Sequence, residues 1–287
     1  MNDIVDSDEK AENDEPKSLF EKLLNELKEL IVTVLIFLPI WFVFSMVVYE
    51  LRSIPSESMV PTLQVGDRVA VSKFTYGYSR YSIPLGLGKM LPEGDGRFLG
   101  GMPQRADVVV FRHPHVDKVM IKRLIGLPGD TVQVVDNKII LNGQPMAQDP
   151  QRRVRYREAR EGRLFTADEL IETTPEGRSY PIHILQLRNY STTPVFKVPE
   201  GHYLFMGDNR DNSTDGRALS GHCPQNEQGV IDQAGCEPNP YGQEPSIGFV
   251  PYENLIGRAD TVLFTLNFCD RYESGCPKGR VWKSLSD

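Results

Sequence analysis

Two serines one residue apart, Ser56 and Ser58, stand a few positions beyond the end of a long apolar run, and Lys122 stands inside a second apolar stretch, residues 119–127. A serine hydroxyl is a weak nucleophile at neutral pH until a neighbouring base takes its proton. The five histidines that could serve (His113, His115, His183, His202 and His222) are scattered, and none stands in a recognisable triad context. A neutral lysine amine can act instead where burial lowers its pKa. Judged on its own segment, Lys122 reads more readily as an exposed strand residue, because lysine is almost never buried without a partner. The commoner hydrolytic signatures, HExxH, GxSxG and a metal-ligand cluster, do not occur.

The elements that must position these residues fall into three regions. Residues 1–17 hold seven acidic groups and few large apolar ones, which predicts a solvated, disordered tail. Ser18-Leu19-Phe20-Glu21 has the form of a capping box, and apolar residues at helical spacing follow it. The run 30–49 is then free of charge over twenty residues, long enough at about 1.5 Å per residue to cross a bilayer. The spacing predicts one helix over 18–50, with Pro39 inside it. A cleavable leader fits poorly, since the run is too long and is preceded by acidic residues. Lys17, Lys22 and Lys28 precede the span and only Arg52 closely follows it, which places the N-terminus in the cytoplasm and residues 51–287 outside.

Beyond the span the character is β. Short runs rich in Val, Ile, Phe and Tyr occur at 67–73, 107–111, 119–125, 131–135, 138–141, 203–206 and 261–266, punctuated by Gly, Pro and Asn. Asp136-Asn137 marks a tight hairpin. The expected fold is mainly β, several small twisted antiparallel sheets preceded by one transmembrane helix. Residues 81–103 read as a Gly/Pro-rich loop. Insertions are expected at about 148–195 and 218–247, the first charged with a short helix at 167–172. The net charge of −7 and pI near 5.4 speak against a nucleic-acid partner. All four cysteines follow the span. Their spacing matches no zinc ribbon or CxxC pair and, in an oxidising compartment, would suit Cys223–Cys236 and Cys269–Cys276 disulfides, with buried thiols as the alternative.

Four blocks in order carry the strongest signal: Ile54-Pro55-Ser56-Glu57-Ser58-Met59-Val60-Pro61-Thr62-Leu63; Gly66-Asp67 with Val71-Ser72-Lys73 and Tyr76-Gly77; Arg105-Ala106-Asp107-Val108-Val109-Val110-Phe111 leading to Ile121-Lys122-Arg123-Leu124-Ile125-Gly126-Leu127-Pro128-Gly129-Asp130; and Met206-Gly207-Asp208-Asn209-Arg210-Asp211-Asn212-Ser213-Thr214-Asp215-Gly216-Arg217. Behind an N-terminal anchor they resemble the bacterial type I signal peptidases. That resemblance implies a cofactor-free serine endopeptidase in which Ser58 attacks the scissile carbonyl and Lys122 takes its proton. It implies an oxyanion hole made by the Ser58 backbone N–H and the Ser56 hydroxyl, and a Ser213 hydroxyl that orients the lysine. Asp208, Asp215, Arg217 and Arg123 match supporting positions. Ile54, Met59, Leu63, Val110 and Ile121 match positions lining shallow pockets, hence cleavage after an Ala-x-Ala-like sequence.

The implied partners are the signal peptides of exported preproteins and the lipid bilayer, with action near the export machinery at the outer face of the cytoplasmic (inner) membrane. Arg52, Glu57 and Ala106 depart from the family pattern, as does the 218–247 insertion. Two other classes are less compatible. A self-cleaving regulator would need a DNA-binding domain, and a non-catalytic anchored β-domain would have no use for Ser56, Ser58, Lys122 and Ser213 together. A specialised peptidase for one pilus or conjugation protein shares every one of these features.

Overall fold

The computed structural model describes residues 19–83, 88, 90, 97, 99–158, 162–186, 190–218, 246–266 and 280–285. The four cysteines, and with them the expected disulfides, lie outside the described residues, as do the acidic tail and most of the 218–247 segment.

The chain divides into two units, residues 1–44 and 45–287. The first is the helix α1 (Leu19–Val47), which runs through Pro39. Within its stretch Phe20–Phe44 an 18-residue window has a mean hydropathy of 2.2 with no residue buried against protein, so the helix is long and apolar enough to cross a membrane. Leucines, isoleucines and phenylalanines exposed on every side of one helix are stable in hydrocarbon and costly in water.

The second unit is built from antiparallel strands: β1 (Tyr49–Ser53), β2 (Asp67–Ser72), β3 (Val108–Arg112), β4 (Val119–Gly126), β5 (Thr131–Val135), β6 (Lys138–Leu141), β7 (Gln144–Pro145), β8 (Ala147–Arg157), β9 (Leu164–Thr173), β10 (Ser179–Ile184), β11 (Phe196–Lys197), β12 (His202–Met206), β13 (Phe249–Pro251), β14 (Leu255–Thr265) and β15 (Lys283–Ser284). The main sheet runs β1-β2-β14-β3-β4-β12-β13, with β15 paired to β14. Two small sheets, β11-β5-β6-β7 and β10-β9-β8, complete the unit. The β5–β6 hairpin turns at Asp136 and Asn137 with φ of 48° and 65°, the paired left-handed residues of a two-residue turn.

The expected helix at 167–172 is a correction: those residues lie within β9, the central strand of a three-stranded sheet. Ala-Asp-Glu-Leu-Ile-Glu has good intrinsic helix propensity, but propensity is a weak local term. Here it is outweighed by ladders to two neighbours and by cross-strand ion pairs, Arg152 with Glu169 and Arg153 with Asp168.

Core packing fixes the first of the four sequence blocks. Ile54, Met59 and Leu63 are buried with Val69, Val110 and Val262 in one cluster. The Ile54 N–H donates to Asp67 O at 3.0 Å and the Gly66 N–H to Ile54 O at 2.9 Å. These bonds close the loop between β1 and β2, and its apolar side chains seat it on the main sheet.

Candidate active site

Ser58 lies in that closed loop and Lys122 at the middle of β4, opposite Val109 of β3. Tertiary packing brings them together: the Lys122 amine donates to the Ser58 hydroxyl at 2.5 Å. The Ser56 and Ser58 hydroxyls are 3.3 Å apart. Lys122 is only 3 % exposed and, among the described residues, has no carboxylate within ion-pairing distance, so burial pushes its pKa from 10.5 down to about 8, against the upward pull of Asp215 and Asp208. A substantial neutral fraction is therefore present near pH 8, and a neutral amine at this distance can accept the serine proton.

The loop after β12 supplies the walls of the site. Asn209 donates its backbone N–H to Ser58 O at 3.1 Å and its side-chain amide to Glu57 O at 3.2 Å, which fixes the backbone at Glu57 and Ser58. Arg123 grips Asp208 through two bonds of 2.7 Å, donates to Ala106 O at 2.7 Å and is stacked on the Tyr180 ring at 4.1 Å. Thr62, four residues after Ser58, donates to Asp208 at 2.5 Å. Burial disfavours the Asp215 carboxylate, but two bonds from Arg217 at 2.9 and 2.8 Å and one from the Gly207 N–H outweigh it and hold its pKa below the usual range. Consecutive strand residues face opposite ways, so Lys122 meets Ser58 while Arg123 ties the sheet to Asp208.

The Ser213 hydroxyl is buried at 4 % exposure and makes no hydrogen bond within the described residues. It lies against Gly207: a Cβ there would come within 2.2 Å of Ser213 Oγ and 2.5 Å of Ser58 O. Gly207→Ala is therefore expected to displace the loop that carries Ser58 and reduce kcat at least about a hundredfold, with a smaller change in KM. Near-normal turnover of that variant would show that the close approach does not matter.

An open cavity of about 370 Å³ runs past the pair, lined by Pro55 to Ser58 on one side, Lys118 to Lys122 on another, and Glu158, Asn212 and Thr214. Of the five apolar residues expected to shape substrate pockets, Ile121 lines this cavity, whereas Ile54, Met59, Leu63 and Val110 lie in the core cluster on which Ile121 packs. Among the described residues no group of His, Cys, Asp and Glu is arranged to hold a metal ion.

Sequence reasoning assigned no role to Thr62, Gly207, Asn209, Arg210 or Glu172. Arg210 forms a two-point ion pair with Glu172 of β9, and both are buried. Glu172 also accepts from Tyr180 at 2.8 Å and Gln148 at 2.9 Å, and these contacts with Arg210 overcome burial to hold its pKa down. His183 of β10 reinforces the junction, donating its N–H to Asp208 O and accepting from the Arg210 N–H, each at 2.9 Å. The three-stranded sheet is thus fastened to the loop that carries Asp208, Ser213 and Asp215. No sequence signal could have paired Glu172 with Arg210 across 38 positions.

Comparison with known proteins shows the family. Residues 27–264 match the family model for signal peptidase, peptidase S26. The chain is 35 % identical over 237 residues to the signal peptidase I of Rickettsia typhi strain ATCC VR-144 / Wilmington, covering 78 % of this chain and 75 % of that one. It is 34 % identical over 232 residues to that of Rickettsia massiliae strain Mtu5, covering 76 % and 72 %. A solved signal peptidase I from Enterococcus faecalis V583 aligns at 23 % identity over 55 % of this chain and 97 % of the other, with a TM-score of 0.27 that carries no weight. On its sequence matches, this chain is a peptidase that belongs to the signal peptidase family S26.

Proposed function

We propose that this enzyme removes N-terminal signal peptides from exported preproteins by a Ser58/Lys122 acyl-enzyme mechanism, cleaving after small residues. The observation that carries this reading is the 2.5 Å contact between the Ser58 hydroxyl and a buried lysine amine. Neutral Lys122 takes the hydroxyl proton as Ser58 Oγ attacks the scissile carbonyl. The oxyanion is received by the Ser58 N–H and the Ser56 hydroxyl. The lysine ammonium then gives its proton to the leaving amine, and the regenerated amine activates the water that hydrolyses the acyl-enzyme. Ser213 turns its hydroxyl to the lysine amine and orients it, and the Arg123–Asp208 and Asp215–Arg217 pairs hold the surrounding backbone.

Substrate is bound extended along the cavity, with side chains directed alternately into its wall. Ile121 forms the surface of that wall, and Ile54, Met59, Leu63 and Val110 back it with incompressible core. Shallow pockets follow from a filled core, and shallow pockets accept Ala-x-Ala. In this reading α1 anchors the enzyme in the cytoplasmic membrane with its N-terminus inside. The catalytic unit stands at the outer face, where preproteins emerge from the export machinery.

The test is cleavage by the purified full-length chain in neutral detergent of a preprotein with an Ala-x-Ala site, followed by mass analysis of the product. A cut after the last alanine is expected, lost when that alanine becomes leucine. With a base of pKa about 8, kcat/KM should rise about tenfold per pH unit below that value and level off above it. Cleavage at other sites would sink the specificity, and a rate flat from pH 5 to about 9 would sink the lysine base.

A further inference from the structure

A second cavity, of about 100 Å³, is lined by Thr62, Ala106, Arg123, Arg178, Ser179, Tyr180, Pro181, Lys283, Ser284 and Leu285. Among the described residues three cationic side chains line it and no carboxylate does. Arg123 and Arg178 are partly neutralised from behind, by Asp208 and by Asp107 at 2.8 Å. Arg178 commits only Nη1, to Asp107 and to Arg105 O, while its Nε and Nη2 make no hydrogen bond among the described residues. The Lys283 amine, held at the cavity by the pairing of β15 with β14, has neither hydrogen bond nor ion pair among the described residues. Burial, together with Arg280 and Arg123 and against the pull of Asp67, lowers its pKa. A half-buried lysine left without a counter-charge beside an unfilled guanidinium edge is unfavourable unless an anion completes the set.

We infer that this cavity is a binding site for a phosphate-class oxyanion, held by the Lys283 ammonium and the free edge of Arg178. Tetrahedral oxygens suit one ammonium point charge and one planar fork of donors. The site is distinct from the Ser58–Lys122 cavity and shares no lining residue with it. Arg123 nevertheless touches both regions, since the guanidinium that lines the anion cavity also binds Asp208, beside the Asn209 that holds Ser58 O. An anion bound there would reach the nucleophile loop through one ion pair.

The binding test does not depend on the peptidase reading. Trp282 adjoins Lys283 and is 74 % exposed, and the chain's other tryptophan is Trp41. In full-length Trp41→Phe protein in neutral detergent, Trp282 fluorescence is titrated with sodium phosphate against sodium chloride at equal ionic strength. The expected result is a saturable change with phosphate alone. Adding Lys283→Met should weaken it at least about tenfold, whereas Lys283→Arg should retain it. The thermal unfolding of both variants should match that of the parent. A phosphate response equal to that of chloride, or one unchanged in Lys283→Met, would overturn the site. Micelles doped with dioctanoyl phosphatidic acid, against phosphatidylcholine alone, separate the sources of the group. A tighter response to phosphatidic acid than to free phosphate assigns a lipid head group, and the reverse assigns a soluble anion; either order supports the site.

Discussion

Replacing Ser58 by alanine or Lys122 by methionine is expected to lower kcat/KM for preprotein cleavage by at least about 10⁴-fold, because nucleophile and base act as one unit and losing either abolishes the covalent route. The two variants should differ in stability, which separates a chemical role from a structural one. Lys122 is fully buried, and its pKa falls from 10.5 in the unfolded chain to about 8 in the folded one. Below about pH 8 both states hold the proton, so the cost of burying the charge is constant and of order 3 kcal/mol. Between 8 and 10.5 the unfolded chain binds more protons than the folded one, and stability from this group climbs with pH. Methionine removes the charge and keeps the length, so Lys122→Met should be inactive yet more stable by about 2 kcal/mol at pH 7. Ser58→Ala should be inactive with stability within about 1 kcal/mol of the parent. Denaturant unfolding beside an activity assay reads both, and a destabilised Lys122→Met would mean that the amine's bond to Ser58 outweighs its desolvation.

The second large effect concerns Glu172. Glu172→Ala would leave Arg210 charged and buried, and would strip partners from Tyr180 and Gln148. Breaking a buried pair by removing one partner costs about 3–5 kcal/mol, whereas replacing both partners by apolar residues can be nearly neutral. The double variant Glu172→Leu/Arg210→Met should therefore recover most of the stability lost by Glu172→Ala, as measured by urea unfolding. Activity should fall in both, since the ion pair also ties the loop of Asp208 and Ser213 to β9 and β10. Equal stability of Glu172→Ala and the parent would reduce the ion pair to a surface-like contact.

Much of the architecture was legible because its cause is local. Short runs rich in Val, Ile, Phe and Tyr, punctuated by Gly, Pro and Asn, marked β2 to β6, β12 and the end of β14. Two left-handed residues at Asp136-Asn137 marked the hairpin. The uncharged run that begins at residue 30 marked the long helix, which ends at Val47 rather than at the expected 50 because Tyr49 already pairs in β1. Sequence periodicity failed at residues 167–172, where helix propensity was the visible term and two strand neighbours decided the outcome.

At the site, sequence alone determined which residue types were available: serines at 56 and 58, one lysine in an apolar strand, and a charged loop at 207–217. Their resemblance to a family named the pair. Only the tertiary structure decided that Lys122 is buried, with no carboxylate in ion-pairing contact among the described residues, and lies 2.5 Å from Ser58. It alone decided that Ile54, Met59, Leu63 and Val110 are core, and that Glu172 holds Arg210. Burial and long-range ion pairing depend on which side chains pack together across the fold, and residues 64 or 38 positions apart carry no local mark of that contact.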